Sequence, residues 1–156
     1  MFTILALSAL IFSCKDAPTN NQPSTQDASS KKPIEGTWQL VNAMLIEKGD
    51  TTRTDYTQGK KFIKVINDSH FSFVGHDLNK GKDTANTLFT CGAGTYMFSD
   101  TSYTEKLEFC NDRQWDGNEF HFTARINGDT LVQSGIEKVE GTGIDRLNVE
   151  RYVRVK

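Results

Sequence analysis

Hydrophobic and polar positions divide this chain into three stretches. From Phe2 to Phe12 the residues are uncharged and mostly apolar. That run is too short to cross a bilayer as a stable helix but fits the apolar core of a secretory signal. From Lys15 to Pro33 the pattern disappears: Asn, Gln, Ser, Thr and Pro dominate, and Ala17 and Ala28 are the only apolar side chains apart from proline. From Ile34 to Lys156 apolar residues recur with period two, and turn signals return at strand spacing, which predicts an all-β fold. Strands are expected at 37–46, 60–66, 70–75, 88–98, 103–110, 118–126, 130–136 and 145–155. Eight antiparallel strands with short connections close most naturally into an up-and-down barrel, which leaves no exposed edge.

Turn chemistry sets a register for two hairpins. Asn127-Gly128 suits a two-residue turn, because both residues tolerate positive φ. A turn centred on Asp100-Thr101 pairs Phe98 with Tyr103, Tyr96 with Glu105, Gly94 with Leu107 and Gly92 with Phe109. The alternate face then ends with Cys91 opposite Cys110, at a separation compatible with a disulfide. In an oxidising compartment that pair is expected to be joined, the alternative being two free thiols. The inward faces gather Tyr96, Tyr103, Phe120 and Phe122, with Glu105 and Gln133 as polar groups among them. Gly92, Gly94 and Gly135 on the same faces suggest free volume. Two readings fit: a pocket with Glu105 and Gln133 as polar handles, or a packed core around a hydrogen-bonded carboxylate.

The second stretch opens on Cys14, preceded by Ile11-Phe12-Ser13. Lipoprotein processing requires a small residue before the cut and a thiol after it to carry diacylglycerol, and Ser13 and Cys14 supply both. Residues 1–13 are therefore expected to be a lipoprotein signal peptide. Residues 14–33 are expected to be a lipidated cysteine with a disordered tether, because so few apolar side chains cannot offset the entropy of ordering the segment. Several acyl chains on one cysteine anchor far more firmly than one. The expected location is the cell envelope of a bacterium, at the outer membrane, with residues 34–156 forming one barrel domain in the periplasm or at the cell surface.

Composition narrows the chemistry. Eighteen Lys and Arg against twenty Asp and Glu give a net charge of -2, with both signs interspersed, so no basic face recommends nucleic acid. His70, His76 and His121 lack metal-binding spacing. Asp77, Asn79, Gly81 and Asp83 faintly resemble a calcium loop, but Gly81 replaces a ligand and no glutamate closes the coordination, so a hairpin loop is expected. No Ser, Cys or His stands in a constellation that activates a nucleophile, and neither enzymatic activity nor a cofactor is expected.

Three segments carry a family resemblance. Ile34-Glu35-Gly36-Thr37-Trp38 resembles the G-x-W opening of lipocalins. Gly94-Thr95-Tyr96 and Tyr103-Thr104-Glu105 resemble the central hairpin of bacterial lipocalin-like lipoproteins, and 149–155 is similar to their last strand. The resemblance implies a calycin-type barrel that binds a small hydrophobic molecule, and the chain is expected to be monomeric. It also implies an arginine of the last strand packed across Trp38. Arg154 stands level with Trp38 in an up-and-down barrel, whereas apolar patterning of Leu147, Val149, Val153 and Val155 would instead turn Arg151 inward. Glu137 to Gly143 reads as a loop where the best-known secreted lipocalins have a helix, which suggests a shorter, flattened barrel. The functional expectation is a tethered carrier of a small, mostly apolar ligand. The alternative is a solid barrel acting through its surface in adhesion, inhibition or assembly.

Overall fold

The structure, a computed structural model, describes residues 31–156. The expected signal peptide, Cys14 and most of the expected tether lie outside the described residues. Nine strands form one antiparallel sheet: β1 (Gly36–Glu47), β2 (Asp50–Asp55), β3 (Lys60–Ile66), β4 (His70–Asp77), β5 (Phe89–Ser99), β6 (Ser102–Cys110), β7 (Glu119–Asn127), β8 (Thr130–Val139) and β9 (Ile144–Arg154). A short 3-10 turn at Arg113–Trp115 separates β6 from β7. Pairing of β1 with β9 closes the sheet into an eight-stranded barrel, and β2 stays outside the closure.

The length of β1 explains the extra strand. Its first half, Gly36–Gln39, pairs with β3, and its second half, Asn42–Glu47, pairs on the same edge with β2. At the junction a bulge between Leu40 and Asn42 shifts the side-chain phase. Trp38 and Leu40 point inward before it, and Ala43 and Leu45 line the interior after it. The strand β2 escapes sequence reading because Asp-Thr-Thr-Arg-Thr-Asp has no apolar alternation; its place is set by backbone pairing alone. The tight β1–β2 turn places Lys48 and Gly49 at φ of 52° and 91°.

Boundaries differ from expectation at two points. Lys32 and Pro33 belong to the folded domain rather than the tether: Lys32 Nζ donates to the Asp68 carbonyl at 2.6 Å, and the Pro33 carbonyl accepts from Arg154 at 2.8 Å. Strand β8 runs on to Val139, so only residues 140–143 form the turn that leads into β9.

Inside, residues stack in layers. Ile34, Trp38, Leu40, Ile66, Phe71, Tyr103, Leu131 and Tyr152 fill one end and are essentially inaccessible. Trp38 is pinned there by donating from Nε1 to the Ile34 carbonyl at 2.8 Å. Arg154 stands opposite Trp38 in the β1–β9 register, and its guanidinium lies 4.0 Å from the ring centroid while donating to the Glu35 and Pro33 carbonyls. Arg151 points outward and is exposed. The apolar residues that share its face form an outer row instead: Leu147 and Val149 stand beside Ile46 and Met44 of β1.

Candidate functional site

Beyond the closed end the interior opens into a cavity of about 450 Å³. Aromatic rings supply much of its wall. Phe62 and Phe73 stack with centroids 5.6 Å apart, Tyr56 meets Phe62 edge-on at 5.9 Å, and Trp115 packs on Phe120 at 5.6 Å. Ala43, Leu45 and Leu107 complete the apolar lining, and Leu88, Phe89 and Asp112 belong to the same wall. The loop carrying Leu88 is held by Asp77, whose carboxylate accepts from the Gly81 and Leu88 amides at 2.7 and 3.2 Å. Those amides hold its pKa below the ordinary value, Gly81 first.

A polar layer lies between the cavity and the closed end. Lys64 reaches across the interior and donates to Glu105 at 2.7 Å and to Gln133 at 2.9 Å. Its ammonium also lies 5.4–5.8 Å from the ring centroids of Tyr152, Phe71 and Tyr103. All three members of the network are buried. Such groups persist in a low-dielectric interior only when each charge is paired and hydrogen-bonded. The Tyr103 hydroxyl is enclosed there without a hydrogen-bond partner among the described residues. Burial first, and the Glu105 charge second, push its pKa well up, so it remains protonated.

A second polar group lines the same cavity on β8 and β9. Arg146 Nε donates to Glu137 at 2.8 Å, and Asn148 donates to the other Glu137 oxygen at 2.7 Å. Burial raises the Glu137 pKa, reinforced by the charge of Glu150 and opposed by Arg146. Glu150 accepts from the Tyr152 hydroxyl at 2.7 Å.

Of the six expected ligand-binding residues, Glu105, Phe120, Phe122 and Gln133 line the cavity. Tyr96 and Tyr103 do not. They pack against each other at 5.7 Å in the closed end, where the Tyr96 hydroxyl donates to the Asn67 carbonyl at 2.6 Å. Burial pushes the Tyr96 pKa up to about 12, so that bond is kept at any physiological pH.

The inward glycines do not leave the volume expected of them. A Cβ at Gly75 would stand 2.5 Å from the Phe62 ring, one at Gly92 2.5 Å from the Phe73 ring and one at Gly135 2.7 Å from the Phe122 ring. These glycines let a neighbouring aromatic lie flat on the sheet. At Gly135 the His121 carbonyl is nearer still, and at Gly94 the obstacle is backbone alone, the Lys106 carbonyl foremost.

That close approach marks a second bulge, which overturns the disulfide. Gly94 pairs with Leu107 but Ala93 pairs with Phe109, leaving Glu108 as the extra residue and shifting everything after it by one position. Cys110 therefore stands opposite Gly92 rather than Cys91. It packs against the core while Phe109 turns out to solvent, and both cysteines are free thiols. An outer depression of about 500 Å³ runs beside Cys91 and Phe109, lined also by Ile63, Val65 and Val74. It lacks the convergent polar groups that distinguish the interior cavity.

Sequence reasoning missed Lys64, Glu137, Arg146, Asn148 and Glu150. Their phase was readable: Lys64 sits two residues from both Phe62 and Ile66, and Asn148 and Glu150 precede Tyr152 at the same interval. Among the described residues no three His, Cys, Asp or Glu side chains cluster as metal ligands. Comparison with protein-family models, with curated proteins and with solved structures yields no match.

Proposed function

We propose that this chain is a lipocalin-like lipoprotein of the bacterial cell envelope, anchored through Cys14, whose barrel binds one small molecule in its interior. The observation that carries this reading is the cavity itself: one end of the barrel is packed solid and capped by Trp38 and Arg154, while the other retains about 450 Å³ bounded by aromatic rings and convergent polar groups. Such a volume is in the range of small-molecule sites. A barrel working only through its outer surface gains nothing from an interior with charged groups kept beside empty space. The lining favours an amphipathic ligand over a wholly apolar one, because Lys64, Glu105, Gln133, Glu137, Asn148 and Glu150 all border it.

A neutral fluorescent probe, N-phenyl-1-naphthylamine, tests the binding reading. It is expected to bind one per chain with enhanced emission, and Ala43→Phe, which projects a ring into the cavity, is expected to weaken it by about tenfold or more. Equal emission from both proteins would contradict the proposal. Anchoring predicts that Cys14→Ser moves the chain from the membrane fraction to the soluble fraction of its cells; an unchanged distribution would count against it.

A further inference from the structure

The charges around the cavity do not balance. Lys64 is matched by Glu105 and Arg146 by Glu137, each pair in direct contact at 2.7 and 2.8 Å. Glu150 has no cation within ion-pair distance among the described residues, and its side chain receives one hydrogen bond, from Tyr152. It projects from β9 beside Gln133 of β8 and Ala43 of β1, half-buried in the cavity wall. The small side chain of Ala43 keeps the space in front of it open.

Asn148, the next inward residue on β9, belongs to the Glu137 pair and does not offset the Glu150 charge. It is 6% exposed and borders the cavity. Its amide nitrogen must face the Glu137 carboxylate, which only accepts, so the orientation of the amide is fixed. The Asn148 oxygen is left buried without a hydrogen-bond partner among the described residues. A buried acceptor left unmet is costly, and native proteins seldom retain one. The surplus charge is also felt nearby: after burial, Glu150 is the next cause raising the pKa of Tyr56, Glu137 and Tyr152, three groups that line the same cavity.

We infer that the ligand is an amphipathic cation, an amine or guanidine with an aromatic or aliphatic body, whose charged end donates to Glu150 while its body lies among Phe62, Phe73 and Phe120. One positive charge neutralises Glu150, the half-buried carboxylate without an ion pair; Asp112, on the same wall, is exposed to solvent. A fatty-acid carboxylate would set a second negative charge beside Glu150 in a site partly removed from water, where like charges repel strongly. This inference rests on the binding reading and gives it a ligand class.

Three compounds of similar size separate the possibilities: 4-phenylbutylamine, 4-phenylbutanol and 4-phenylbutyrate, each competing with N-phenyl-1-naphthylamine on the purified full chain. The amine is expected to bind about tenfold tighter than the alcohol and the carboxylate weakest of the three. In Glu150→Gln the ratio of amine to alcohol affinity is expected to fall to about one. Because the ratio is taken within one variant, a general loss of fold does not mimic it. A carboxylate that binds as well as the amine, or an amine preference that survives Glu150→Gln, overturns the cation while leaving the binding reading intact. Failure of the probe and of all three compounds to bind overturns both.

Discussion

Lys64→Met is expected to destabilise the barrel by about 3–5 kcal/mol, read as a fall in the denaturant midpoint at constant slope. The methionine itself fits, being unbranched and close in volume. The loss comes from Glu105, which keeps its place in the interior beside Tyr103 but loses the ammonium 2.7 Å away, while Gln133 loses its donor. A carboxylate stranded in this way must either be desolvated without compensation or take up a proton. Glu105→Gln is expected to be destabilising for the converse reason, since it leaves the lysine without a countercharge. The double replacement Lys64→Met with Glu105→Leu removes both charges. It is expected to recover most of the loss, because a buried ion pair exchanged for well-packed apolar side chains is commonly neutral or stabilising. Single variants that lose less than about 1 kcal/mol would show that Lys64 turns outward to solvent, contrary to the fold described above.

Trp38→Ala carries the other large effect, again about 3–5 kcal/mol, because a wholly buried indole is removed from the end of the barrel that has no spare volume. Part of this loss is shared with Arg154, which covers the ring at 4.0 Å and ties β9 to the Pro33 and Glu35 carbonyls. Arg154→Ala is therefore expected to cost about 0.5–2 kcal/mol through the ring contact, with an added contribution from the two backbone hydrogen bonds. Arg151→Ala is expected to stay within about 0.5 kcal/mol of the parent, as for most exposed positions. In a double-mutant cycle Trp38 and Arg154 should couple, and Trp38 and Arg151 should add. Coupling of Trp38 to Arg151 instead would place the wrong face of β9 inside.

The fold was largely legible because period-two patterning and turn residues act locally. Each of the eight expected strands lies within a few residues of a strand in the structure, and the Asp100-Thr101 hairpin pairs Phe98 with Tyr103 and Tyr96 with Glu105 as the turn requires. What was not legible depends on events between strands. The bulge at Glu108 has no marker in composition, yet one inserted residue separates Cys91 from Cys110 and turns Phe109 outward. The glycines at 75, 92 and 135 announce that something approaches the sheet, but not that the visitor is the phenylalanine paired with each on the adjacent strand. The buried charges were hidden by expectation rather than by pattern. Lys64 and Glu150 occupy inward phase, and only the presence of partners such as Glu105 across the barrel makes an inward lysine affordable. The Lys64 partnerships connect positions 41 and 69 residues apart and follow from closure, which no single strand encodes.

The proposed function requires the interior to be a binding site. Native mass spectrometry of the chain purified from its own cells without unfolding measures this most directly. The prediction is a single non-covalent adduct per chain that is released on collisional activation and absent from Ala43→Phe. Two bare chains of the expected masses, with no probe binding in either, would contradict it.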